Sequence, residues 1–194
     1  QPKCIGDAAL ESRPDTALRY IFSSNNRIHV TGDAGVRVGN PSQVFGKLRA
    51  RHTTDFDRWE LRLTETVRWY SIDGFTETSG MRWSRPLTYI WLLQTSSDVK
   101  WDERSNGVTP SQTLSFYRTL SKRQAYRWTI GGIWPETPHT TEAVYTIEHA
   151  YRRLVYGDWL FMEFRPAIQF PQADNFEPHP MFTFLFHAVF GDMD

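Results

Sequence analysis

The chain has 194 residues, 22 basic and 22 acidic side chains, a single cysteine and no break in composition, so one domain without an internal disulfide is the default. Zero net charge removes the basic footprint of a nucleic-acid binder, and no apolar run approaches the roughly 18 residues of a membrane-crossing helix. Crossing by strands stays open, because lipid-facing and lumen-facing residues alternate and average out; aromatic content of 15% with eight Trp suits an interfacial girdle.

Residues 1–26 lack strong periodicity and carry turn formers at Pro14, Ser23, Ser24, Asn25 and Asn26. They read as an N-terminal periplasmic extension in which Leu18 to Phe22 could form a short strand. Cys4 is incidental there, and with no signal peptide visible Gln1 is taken as the start of a processed chain.

Over 27–194 the period is two, as strands require, and ten alternating segments emerge. Their expected outward residues run from Ile28, Val30, Gly32, Ala34, Val36 and Val38 in the first to Val44, Leu48 and Ala50 in the second. The third carries Trp59, Leu61, Leu63, Val67 and Trp69, the fourth Met81 and Trp83, and the fifth Tyr89, Trp91, Leu93, Val99 and Trp101. Leu114, Phe116 and Leu120 follow in the sixth, Tyr126, Trp128, Ile130 and Trp134 in the seventh, and Ala143, Tyr145, Ile147 and Tyr151 in the eighth. Leu160, Met162, Phe164, Ile168 and Phe170 mark the ninth, and Phe182, Phe184, Phe186, Ala188 and Phe190 the tenth. Five of these segments carry on their outward face two bulky residues eight to ten positions apart, such as Trp59 and Trp69 or Trp91 and Trp101. At about 3.3 Å per residue and a tilt near 40°, ten residues cover roughly 25 Å, the height of an outer-membrane barrel's apolar band.

The connections alternate in length. Those around Asp57, Pro86, Lys122 and Gly157 are short, and those at 72–76, 102–108, 135–140 and 171–180 are longer. This predicts an all-β, antiparallel transmembrane barrel of about ten strands in the outer membrane of a Gram-negative bacterium, with both termini in the periplasm. A soluble barrel or sandwich is the alternative that alternation alone leaves open.

The opposite face is charged. Lumen charges are expected at Arg49, Arg62, Arg68, Arg82, Arg127, Glu148, Arg152, Glu163 and Arg165, with Asp33, Lys47, Arg51, Asp98 and others beside them. Four polar residues, Glu65, Ser79, Thr95 and Ser97, fall by parity on the outward face instead, which marks a candidate partner surface within the membrane.

The stretch Tyr156-Gly157-Asp158-Trp159-Leu160-Phe161-Met162-Glu163-Phe164-Arg165-Pro166, with Phe170-Pro171, Phe176-Glu177-Pro178 and the closing Phe190-Gly191, resembles an uncharacterised family of proteobacterial outer-membrane β-barrel-like proteins. The resemblance extends through Trp59-Glu60-Leu61-Arg62-Leu63-Thr64-Glu65-Thr66 and Gly107-Val108-Thr109-Pro110-Ser111-Gln112 and covers roughly 35–191. It implies a membrane barrel and brings no activity, cofactor or site residue with it.

Some small barrels are hydrolases of the omptin or lipid-deacylase type, and the outer loops here offer Asp73, Asp102, Glu103, His139, Asp174, Glu177 and His179. Acid and His on neighbouring loops could activate water, but these residues have no diagnostic spacing, so no catalytic residue is assigned. His29, His52, His149 and His187 lie on separate strands without metal-ligand spacing, and no phosphate loop appears, so neither metal nor cofactor is expected. The expected role is a structural or partner-binding envelope component surrounded by outer-membrane lipid and lipopolysaccharide and joined by another envelope protein, with no nucleic acid. A narrow anion-leaning channel is the alternative, since ten strands leave a narrow passage at most.

Overall fold

The computed structural model describes residues 15–24, 27–37, 42–136, 142–157 and 159–188. Its strands are β1 (Asp15–Ser24), β2 (Ile28–Arg37), β3 (Gln43–Phe56), β4 (Trp59–Tyr70), β5 (Gly74–Pro86), β6 (Trp91–Asp102), β7 (Gly107–Ser121), β8 (Gln124–Ile133), β9 (Val144–Tyr156), β10 (Leu160–Pro171) and β11 (His179–Ala188). They form one sheet in chain order, each strand antiparallel to the next. Among the described residues no pairing joins β1 to β11, and the two run in the same direction.

Eleven strands replace the ten expected, and the difference lies at the start. Asp15–Ser24, read from sequence as part of a periplasmic extension, is a full strand paired with β2 from Asp15↔Arg37 to Ser24↔His29. It crosses from the rim of the longer connections to the opposite rim, so the placing of 1–26 at one rim is corrected over this stretch. A register shift between Ile21 and Ser23 breaks the alternation there, which is why the period was hard to see. A Cβ on Gly32 would sit 2.8 Å from the edge of the exposed Phe22 ring on β1.

The remaining strands follow the expected segments. Two short turns use left-handed residues, Asp57 at φ 52° and Gly157 at φ 56°, as tight hairpins require. The hairpin at Asp57 fixes Phe56↔Trp59, and the register then runs unbroken to Phe45↔Tyr70.

The faces are inverted relative to a soluble protein. Among the described residues the buried apolar side chains are only Phe45, Ala143, Ala150 and Ala167, while Thr31, Asp33, Gln43, Thr66, Ser115 and Glu163 are buried and polar. Leu48, Leu63, Ile130, Ile147, Phe164, Phe184 and Phe186 are exposed on the outer side. Ala143 departs from the expected outward set: it is buried, precedes β9, and its N–H donates to Gln172 Oε1 at 2.9 Å. Val38 and Phe190 lie outside the described residues.

Aromatic rings gather at both rims. On the short-turn side Trp59 meets Trp83 at 6.3 Å, Trp91 stacks on Trp128 at 5.9 Å, and Tyr126 stacks on Tyr151 at 4.9 Å. Arg85 and Arg118 lie over Trp59 and Trp91 at 5.1 and 5.2 Å. On the other side Trp134 donates Nε1–H to the Tyr145 hydroxyl at 3.2 Å, and Tyr145 meets Phe176. Rings of this kind flank the apolar band of membrane barrels.

Candidate functional site: the charged inner wall

The inner face divides into two walls of different electrostatic character. On β2 to β6 a cavity of about 560 Å³ is lined by Lys47, Arg49, Arg51, Arg62, Arg68 and Arg82, with Asp33 and Asp98 as its carboxylates. Six cations against two acids leave this wall strongly positive. Lys47 reaches Asp33 at 3.5 Å and Arg62 donates to Glu60 at 2.9 Å. Arg49, Arg51, Arg68 and Arg82 make no ion pair or side-chain hydrogen bond with any described residue. The Nε atoms of Arg62 and Arg68 are buried without partners.

Strand register explains the imbalance. Arg49 faces Thr66 and Arg51 faces Thr64 across the β3–β4 ladder, while Arg62 faces Arg82 across β4–β5. Hydroxyls and a second guanidinium therefore occupy the positions where carboxylates would neutralise. Directly opposed like charges sit about 5 Å apart at Cβ and destabilise the sheet unless an anion comes between them.

The second wall, β8 to β11, is neutralised. Arg127 Nη2 lies 2.6 Å from Glu148 Oε1 and 4.0 Å from Glu163 Oε1. Arg165 Nε donates to Glu163, whose other oxygen lies 3.6 Å from His187 Nε2. Glu163 is thus the hub of three cationic or protonatable neighbours. Arg152 stands opposite Glu163 in the β9–β10 ladder but makes no ion pair with it, its guanidinium lying 4.2 Å above the Phe161 ring. The expected lumen residues therefore fall into three groups: Arg49, Arg62, Arg68 and Arg82 around the cavity, Arg127, Glu148, Glu163 and Arg165 in the ionic cluster, and Arg152 on an aromatic face. Arg51 completes the first group and His187 the second. Once the Asp57 hairpin is recognised, pairing arithmetic places Arg51 opposite Thr64; the place of His187 depends on β11, which sequence gives no way to register.

The acids and histidines of the longer-loop rim hold loops together. Asp102 accepts backbone N–H bonds from Arg104 at 3.1 Å and Ser105 at 3.3 Å and pairs with Lys100 at 3.3 Å. Burial alone would raise its carboxyl; these donors outweigh it and hold the group below its ordinary range. Glu103 Oε2 accepts from the Phe75 N–H at 2.8 Å, and Arg104 pairs with Asp73 at 2.9 Å. Asp174 lies 3.3 Å from His179, and His139 is outside the described residues. Among the described residues no three His, Cys, Asp or Glu side chains gather as a metal site.

Glu65, Ser79, Thr95 and Ser97 line the outer face, as parity requires. Glu65 pairs with Ser79 in the ladder, and Ser97 pairs with Gln112, a residue that sequence reasoning passed over.

No known family's sequence profile matches the chain, and no curated protein matches it. Among solved structures it is similar to one titled "NanC porin structure in rhombohedral crystal form", with 8% identity, a TM-score of 0.60, and coverage of 91% of this chain and 93% of that one. At that identity the likeness shows the fold: an all-β, antiparallel, porin-like barrel. The narrower family resemblance read from the closing motifs gains no support from these comparisons.

Proposed function

We propose that the chain spans the outer membrane of a Gram-negative bacterium, embedded in lipid and lipopolysaccharide, and lets small anions pass along the β3–β5 wall of its lumen. The observation that carries this reading is the set of four arginines around the 560 Å³ cavity that have no carboxylate partner among the described residues. A unit charge 6 Å away contributes about 0.7 kcal/mol in a water-like dielectric and several times that nearer protein, and with a Debye length of about 8 Å roughly half of it survives screening. Rings or rows of Arg and Lys are how pores favour anions. The porin-like scaffold is compatible with conduction, and the paired cluster on β8–β10 would brace the other wall.

Flux into liposomes tests this. Nitrate should enter vesicles carrying the folded protein several times faster than a neutral solute of similar size, and replacing Arg49, Arg51, Arg68 and Arg82 together with Gln should remove that preference. Entry no faster than into protein-free vesicles, or a preference that survives the fourfold replacement, overturns the proposal.

A further inference from the structure

The outward surface is uneven around the barrel. Over β8 to β11 it presents Trp128, Ile130, Ile147, Phe182, Phe184 and Phe186. Over β4 to β7 it carries Glu65, Ser79, Ser97 and Gln112. These are two ladder pairs set two residues apart in register across β5–β6, where Ser79 faces Val99 and Ser97 faces Met81, and each lies at the same distance along its strand from a rim residue. Glu65 lies four residues inside Trp69, Ser79 four inside Phe75, Ser97 four inside Trp101 and Gln112 four inside Val108. The four reference residues are themselves neighbours, Trp69↔Phe75 and Trp101↔Val108, and Glu65↔Ser79 and Ser97↔Gln112 repeat that pairing one step inward. Four residues at about 3.3 Å each and a tilt near 40° set the polar row roughly 10 Å inside the girdle.

The row borders a hollow of about 540 Å³ lined by Ala50, Glu65, Ser79, Met81, Ser97 and Val99 among others. Glu65 Oε1 is shielded from solvent and has no hydrogen-bond partner among the described residues, and the other carboxylate oxygen, which is not shielded, is the one open to the outward face. At the other end, Gln112 accepts from Ser97 at 2.9 Å and donates one N–H to Thr95 at 3.3 Å, which leaves its second N–H spare. An acceptor without a donor stands on one flank, and a spare donor stands on the other.

We infer that this face pairs with the same face of a second copy of the chain, about a two-fold axis along the membrane normal between β5 and β6. Such an axis exchanges the flanks: Glu65 of each copy meets Gln112 of the other, and Ser79 meets Ser97. Small side chains in the middle allow close approach, as at packed interfaces in lipid, and the contact is self-complementary, as two-fold symmetry demands. This surface rests on the membrane-spanning reading and is independent of conduction.

The test uses the whole chain with Cys4→Ser as background. Copies carrying Ser79→Cys and copies carrying Ser97→Cys, differently tagged, are co-expressed and oxidised in native membranes. The mixed pair should form disulfide-linked dimers at least fivefold above a control pair with Ile130→Cys and Ile147→Cys on the far face. Glu65→Leu should lower the dimer fraction of the otherwise unmodified chain about tenfold in detergent, and Glu65→Gln should restore most of it. Folded, vesicle-inserted protein that stays monomeric, or mixed-pair cross-linking no greater than the far-face control, overturns the pairing and leaves the barrel reading intact. A chain that never inserts overturns both.

Discussion

Ile130, Ile147 and Ile168 form a row across β8, β9 and β10, paired directly as Ile130↔Ile147↔Ile168 and exposed by 58, 49 and 40%. Thr146 precedes Ile147 on the same strand at nearly the same depth and points inward between Gly131 and Gln169. An arginine at each position therefore introduces the same charge and volume and differs only in the face that receives it. Placed outward near mid-band, Arg costs about 2–4 kcal/mol in a membrane barrel. That is a loss of roughly 30- to 1,000-fold in the folding equilibrium. Among the described residues the outward ladder neighbours of Ile147 are Ile130 and Ile168, so no carboxylate stands beside it there to offset the charge. Inward, Thr146→Arg enters a polar lumen with Glu148 two residues along, and its cost should stay within about 1 kcal/mol, as for other exposed charges. Urea titration of the chain folded into lipid vesicles, read by heat-modifiable migration and Trp fluorescence, measures both. Ile147→Arg should shift the midpoint strongly and Thr146→Arg hardly at all. The reverse order is what a soluble barrel requires, with Thr146 in its core and Ile147 on its surface, and that result would refute the assignment of faces.

Three further outcomes follow from the ionic and rim contacts. Glu163→Gln takes the carboxylate from Arg165 and His187 around a side chain only 10% exposed, while Arg127 keeps Glu148, so it should destabilise by roughly 1–3 kcal/mol, against less than about 1 kcal/mol for Glu60→Gln in its open pair with Arg62; the same vesicle titration compares them. Asp102 has its carboxyl lowered on folding, so the stability it adds is present above the ordinary carboxylate range and is lost as pH falls through the lowered value. Hydrogen exchange at Arg104 and Ser105 should rise at acid pH beyond its intrinsic trend, and Asp102→Asn should flatten that rise. Gly74→Ala places a Cβ on a backbone with φ +79°, 2.6 Å from the Glu103 carboxylate; it should cost about 1–2 kcal/mol and speed proteolysis of the rim loops.

Much of the fold was legible because a barrel's two faces leave a period-two record in the residues. Trp59 to Trp69 and Trp91 to Trp101 gave both strand length and girdle, and the connection around Asp57 was legible as short, while the register of β3 on β4 that it fixes is seen only in the structure. What parity could not convey was β1, whose register shift near Phe22 and following Ser23 and Ser24 look like a terminal turn. Nor does parity tell paired arginines from unpaired ones. Arg127 and Arg49 are equivalent in sequence pattern, yet one has Glu148 within reach and the other faces Thr66. That distinction arises only when neighbouring strands are aligned, and it is what turns a list of lumen charges into one neutral wall and one positive wall. Gln112 escaped notice for a related reason: uncharged and two residues from Pro110, it gains meaning only beside Ser97 and Thr95.

The central claim is that the unpaired arginines set the charge preference of a water-filled passage, and the reversal potential of the protein in a planar bilayer across a tenfold KCl gradient tests it most directly. An excess of about 1 kcal/mol in favour of anions at the cavity corresponds to roughly fivefold selectivity. The potential should therefore move toward chloride equilibrium and fall back toward zero when Arg49, Arg51, Arg68 and Arg82 are replaced by Gln. A silent bilayer containing folded protein, or a potential on the potassium side, would contradict it.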